Sequence, residues 1–132
     1  MGIFDLISGK DARHAHAAMV FAVANSDGHL DESEAAWCAM VSVKLGLNDR
    51  DVRKAIEMGG DEAAKHIFSM SKADKAVVLA DCIRCSVIDG QVHPRELEGL
   101  NLYAKVMKFN ESDAQLIAEN IDKDDDVLRS MF

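Results

Sequence analysis

Asn25-Ser26-Asp27-Gly28-His29-Leu30-Asp31-Glu32-Ser33-Glu34 decides the fold, because the chain repeats its plan at Val87-Ile88-Asp89-Gly90-Gln91-Val92-His93-Pro94-Arg95-Glu96. Each copy reads Asp-Gly-x-(aliphatic)-x-x-x-Glu after a nearly unbroken apolar run. Residues 19 to 59 set over 81 to 121 without a gap match Asp27 to Asp89, Gly28 to Gly90, Glu34 to Glu96, Asn48 to Asn110, Asp51 to Asp113 and Glu57 to Glu119. Most other paired positions keep their apolar character, as in Leu30 with Val92, Leu45 with Met107 and Leu47 with Phe109. Solenoids need three or more such units to bury their faces. The expectation is therefore one domain, residues 1–132, with pseudo-two-fold internal symmetry.

Composition narrows the class. Hydrophobic residues make up 48 % of the chain but aromatic ones only 5 %, so the core is built from Ala, Val, Leu, Ile and Met, which favours helices over sheets. A formal charge of −8 argues against a sequence-independent grip on nucleic acid or anionic lipid and is compatible with a cation site. No signal peptide is recognisable, and the longest apolar stretch, Ala17 to Ala24, falls far short of the roughly 20 residues of a membrane span. Three cysteines, an odd number, do not make a disulfide framework. These features predict a reduced, cytoplasmic protein with no transmembrane segment.

Along the chain, Met1 to Ser8 reads as a short apolar turn ended by Gly9, and the first long helix as Asp11 to Asn25, apolar all round in its second half. Asp31 is a good N-cap, with Glu34 at the capping-box spacing, so a second helix runs from Glu32 to Leu45 and stops at Gly46. Asn48 with Asp51 opens a third helix to about Met58, closed by Gly59-Gly60, and Asp61 to Met70 forms a short linking helix between the two units. Ser71 with Asp74 caps a second all-round apolar helix, Ala76 to Ile88; Pro94 opens the next, to Met107. Asn110 to Ile121 closes the repeat, and Val127, Leu128 and Met131 supply a last turn. No segment alternates as a strand would. The expected fold is all-α: a compact bundle of seven or eight helices, made of two pseudo-two-fold related three-helix units packed through their apolar central helices.

The repeated acids invite a calcium reading, since an EF-hand loop carries glycine at its sixth position, an aliphatic residue at its eighth and glutamate at its twelfth. Counting back from Gly28 places Val23 and Asn25 at the leading ligand positions, and from Gly90 it places Cys85 and Val87 there. Each copy is half a loop. As turn chemistry, the glycine stops a helix and the glutamate satisfies free amides at the next helix start. Yet the second copy replaces the cap Asp31 with His93 and still keeps Asp89 and Glu96. If the units pack side by side, Asp27, Glu34, Asp89 and Glu96 share a surface, and clustered carboxylates call for a cation: Ca²⁺, Mg²⁺ or Mn²⁺ rather than zinc. Both readings stay open on the residues alone.

Other candidates carry less. Cys82-x-x-Cys85 sits inside the most apolar helix, where cysteines act as small hydrophobes. His14 and His16 diverge on a helix; His29 and His93 lie near the turns as accessory ligands or solvent-facing residues. Met19, Met40, Met58, Met70 and Met107 occupy core-like positions. No nucleophile motif or glycine-rich phosphate loop is present.

With Met1-Gly2-Ile3-Phe4-Asp5 at the start, Ala22-Val23-Ala24-Asn25-Ser26-Asp27-Gly28 with Glu34, and Ser86-Val87-Ile88-Asp89-Gly90 with Glu96, the chain resembles the TerB (tellurite-resistance, TerB-like) family over nearly its whole length. The resemblance implies a compact helical bundle, a cytoplasmic place in bacteria, a role in tellurite and other stress responses, and an acidic surface able to bind a divalent cation. It also implies non-enzymatic work with other Ter-type proteins, including one at the inner face of the membrane. Asp27, Glu34, Asp89 and Glu96 hold the motif positions, while His93-Pro94 replaces acids in the second copy. The functional expectation is a non-enzymatic, cation-binding stress-response module that docks partner proteins. Its alternative is a metal-free helical adaptor whose acidic turns are caps and whose apolar N-terminus recruits a partner. Metal-assisted hydrolysis ranks third, for want of a base and a nucleophile.

Overall fold

The computed structural model describes the backbone of residues 3–26, 28, 30–88, 90 and 94–132, and the side chains of these except 3–10 and 94–97. Among the described residues the chain forms seven helices and no strand: α1 (Ile3–Ala24), α2 (Glu32–Lys44), α3 (Asp49–Phe68), α4 (Lys72–Val87), α5 (Pro94–Val106), α6 (Glu111–Glu119) and α7 (Asp125–Ser130). The all-α expectation holds. The caps lie where the sequence places them: the side chains of Asp31, Asn48, Ser71 and Asn110 accept from the backbone N–H three residues on, at 2.7, 2.9, 3.2 and 2.8 Å. Asn48/Asp51 and Asn110/Asp113 close reciprocal capping boxes.

The repeat is also visible in local backbone geometry. Gly28 and Gly90 adopt φ of 76° and 81°, and each donates its N–H to the carbonyl three residues back, at 3.0 Å. The ends of α2 and α5 turn alike: Leu47 N–H reaches Ser42 O and Phe109 N–H reaches Ala104 O, both at 2.9 Å, around left-handed residues Gly46 and Lys108.

One detail differs from expectation. Gly9 does not end a separate turn; α1 runs through it, because one glycine costs a helix only about 1 kcal/mol. The stop expected at Gly59-Gly60 is present: α3 is two helical segments that meet at a kink, where Gly59 holds the non-helical φ 71° and ψ 172°, and the second segment, up to Phe68, is the expected linking helix.

α1 and α4 form the centre. Ala15, Met19, Val20 and Val23 of α1 and Val78, Leu79, Cys82 and Cys85 of α4 are buried, and α4 packs against α1, α2, α5, α6 and α7. The three helices α1, α2 and α3 run up, down and up. His14, midway along α1, meets Asp51 near the start of α3, and further along both helices the Ala22 methyl lies where a Cβ on Gly60 would come within 3.3 Å. A Cβ there would force its neighbours to give by a few tenths of an ångström.

Candidate functional site

Of the four carboxylates expected to share a surface, Glu34 is the one whose side chain is described. Asp27 and Asp89 lie outside the described residues, as does the side chain of Glu96, and so does their mutual distance; His29 and His93 fall outside as well. Glu34 stands at the third position of α2, 4 % exposed, with its N–H bonded to the Asp31 carboxylate. Its carboxylate acts electrostatically on Cys38 and Cys85. Capping alone would leave such a side chain in water; here it is turned inward.

The described residues build a more extensive feature between α1, α2 and α3. An open cavity of about 760 Å³ is lined by Ala18, Phe21 and Ala22 of α1, Ala35, Cys38 and Ala39 of α2, and Val52, Ile56 and Gly59 of α3, among others. Leu30, Val43 and Ile56, all well exposed, border it, Val43 at 78 %. The outer face of α2 continues the same surface: Ala35, Ala36, Ala39, Met40 and Val43 all face solvent. Met40 is thus not a core residue as its spacing suggests. Asp49 lines one end, and Glu32 precedes Ala35 by one turn at the other. The sequence signal was the apolar run Ala35 to Val41, too apolar all round for a helix with one covered face.

The cysteines differ in exposure. Cys38 of α2 is half-buried and lines the cavity, whereas Cys82 and Cys85 of α4 are buried. The influence of Cys85 holds the Cys38 pKa below the ordinary thiol value, and the influence of Cys38 together with burial drives that of Cys85 well above it. Burial pushes Cys82 up. Cys82 and Cys85 are the buried residues expected of an apolar helix.

A charged cluster fixes α2 on α4. Asp81, fully buried, accepts from Lys44 Nζ at 2.6 Å and Arg84 Nη1 at 2.9 Å, and shares a 2.6 Å hydrogen bond with His16 Nε2. Arg84 and Lys44 both reach Asp125, at 2.9 and 3.0 Å, and Arg84 also donates to the carbonyls of Ile121 and Lys123. Trp37 Nε1 donates to the Asp81 carbonyl at 3.1 Å. Burial by itself would raise the Asp81 pKa, but hydrogen bonds and charge from His16 and then Lys44 hold it at about 2, below the ordinary 3.8. Burial works the same way on Asp125, and Arg84 and Lys44 outweigh it to keep that carboxyl low. His14, as expected, points elsewhere, to Asp51 at 2.9 Å. An acid inside the apolar run Ala76 to Ile88, with arginine three residues on, was the available sign.

No protein-family model, curated protein or solved structure matches the chain.

Proposed function

We propose that the protein is a non-enzymatic docking module whose α1–α2–α3 groove takes a short, basic amphipathic helix of a partner protein. The observation that carries this reading is the apolar groove continuous with the exposed face of α2. Apolar surface of this kind, left uncovered and bordered by polar residues, marks sites of association. From Ala35 to Val43 the groove follows nine residues of α2, about 12 Å from first to last, roughly two helical turns. Leucine-like side chains at i, i+3 or i+4, and i+7 suit such a length. Asp49 and Glu32 at its ends, on a chain of net charge −8, favour lysine or arginine at the ends of the ligand helix.

The resemblance to TerB-like domains supports the same class of role: a cytoplasmic stress-response module working with a Ter-type partner at the inner face of the membrane. The test uses two designed peptides, a leucine–lysine amphipathic helix and its leucine–glutamate counterpart, titrated while Trp37 fluorescence is followed. The basic peptide binds, and Val43→Asp with Ile56→Asp weakens it at least about tenfold, or about 1.4 kcal/mol. Equal binding of both peptides, or no effect of the double substitution, would count against the groove.

The buried Glu34 carboxylate favours a second reading, in which the adjacent turns bind a divalent cation. All-oxygen donors suit Ca²⁺, Mg²⁺ or Mn²⁺, with Asp27, Asp89 and Glu96 as the further ligands. Thermal stability followed during metal titration of the wild type and of Asp27→Asn/Asp89→Asn decides it, since a ligand selective for the folded state must raise stability. A curve unmoved by millimolar metal rejects the site.

A further inference from the structure

We infer that Lys75 and Lys108, gathered on the ring of Phe68, form a binding site for a doubly charged phosphate group, either the free anion or the phosphate of a small organic ester. The two ammoniums come from different elements, Lys75 near the start of α4 and Lys108 in the turn that follows α5, yet they lie 5.5 and 4.8 Å from the centroid of the same ring. Their nitrogens are therefore no more than about 10 Å apart. Lys75 is only 8 % exposed, so packing holds its side chain in place. Among the described residues neither ammonium meets a carboxylate, whereas Lys44, Lys72, Arg84 and Arg129 each do. A ring face attracts a cation, but two like charges at this range repel each other. An anion between them removes that conflict.

The repeat shows what the same two positions do elsewhere in the chain. At the offset that sets residues 19 to 59 over 81 to 121, Lys75 corresponds to Arg13 and Lys108 to Gly46. Arg13 donates to the Leu45 carbonyl at 3.3 Å, beside the Gly46 turn, so its charge serves the end of α2. Lys75 is turned to the Phe68 ring instead. Lys108 holds φ 63°, a conformation costly for a lysine, where the first copy has glycine. Both departures bring positive charge to one ring.

Two ammoniums match an anion of two charges. A carboxylate has one; a phosphate ester near neutral pH carries about −1.5 to −2 and three acceptor oxygens, and lysine binds it as a point charge. Phe68, 51 % exposed, keeps apolar surface beside the ammoniums for the organic part of an ester. On a chain of net charge −8 the overall field repels anions, so binding rests on these local charges. None of the three residues lines the α1–α2–α3 groove, and the inference is independent of what occupies it.

The test titrates the isotope-labelled full-length chain with sodium phosphate, phenyl phosphate and sodium acetate at constant ionic strength, following backbone amides by NMR. Phosphate is expected to give saturable shifts confined to the amides around Phe68, Lys75 and Lys108, with an affinity at least about tenfold above that of acetate. Tighter binding of phenyl phosphate than of phosphate assigns the site to an organic ester; equal or weaker binding assigns it to the free anion. Lys75→Gln and Lys108→Gln each weaken phosphate at least about threefold, while Lys75→Arg keeps it bound. Shifts that do not saturate or that spread over the whole chain, acetate equal to phosphate, or an affinity unchanged in Lys108→Gln would overturn the proposal. Lys108 is exposed, so its variant decides the matter even where Lys75→Gln does not fold.

Discussion

The two copies of the repeat share their backbone punctuation and differ in what their side chains do with it. At the position where residues 19–59 bury Met19, residues 81–121 bury Asp81, and where the first copy has Ala22 the second has Arg84. The second copy is thereby tied by charge to α1, α2 and the C-terminal residues. On the outer helix the contrast is reversed: Ala36, Ala39 and Val43 of α2 correspond to Glu98, Asn101 and Lys105 of α5, all exposed. The two segments share their turns, but one carries an ionic anchor and the other an open apolar surface.

The strongest way to break this comparison is to remove the anchor. Asp81→Ala strands His16, Lys44 and Arg84 around an empty acceptor, and the loss of stability is expected to be about 3–5 kcal/mol, read from urea unfolding followed by circular dichroism. A loss below about 1 kcal/mol would show that the cluster only decorates the fold.

Acid probes the same anchor in the intact chain. The unfolded Asp81 carboxyl takes up its proton near 3.8, whereas the folded one holds off until about 2. Its contribution is thus present above the unfolded value and is lost as pH falls through that interval. The loss is about 2 kcal/mol, and the corresponding slope should vanish in the Asp81 variant. Equal acid sensitivity in the two proteins would assign the effect to other carboxylates.

A substitution in the first copy tests whether its helix break matters. Gly59 holds φ 71° and ψ 172°, a region nearly confined to glycine, while the second copy carries Ile121 at the matching position. Gly59→Ala is expected to lower stability by about 1–3 kcal/mol, measured as a shift of the urea midpoint at unchanged slope.

The smallest effect concerns the matched stops Gly46 and Lys108. Lys108 sits at φ 63°, and Lys108→Gly relieves that strain but forfeits its ammonium over the Phe68 ring, 4.8 Å from the centroid. The two terms oppose each other, each near 1 kcal/mol, so thermal unfolding should move little in either direction. A large stabilisation would mean that the ring contact contributes nothing.

Legibility in the sequence followed the range of the interactions. Asp31, Asn48, Ser71 and Asn110 were readable as caps because each bonds an amide three residues away. The core of α1 and α4 was readable from their unbroken apolar runs. Met40 was not, since an apolar residue on a helix does not reveal whether any neighbour covers it. Of the expected carboxylate surface, Glu34 is the member whose side chain lies among the described residues, and it is buried.

By itself, then, the amino-acid order determined the helices, their caps and the glycine turns, since these depend on contacts within about one helical turn. Tertiary packing decided the rest: that α2 leaves an apolar face open, and that Asp81 gathers hydrogen-bond partners from three helices. Each of these depends on surfaces far apart in the chain, and only the relative placement of whole helices can bring such surfaces together or leave them bare.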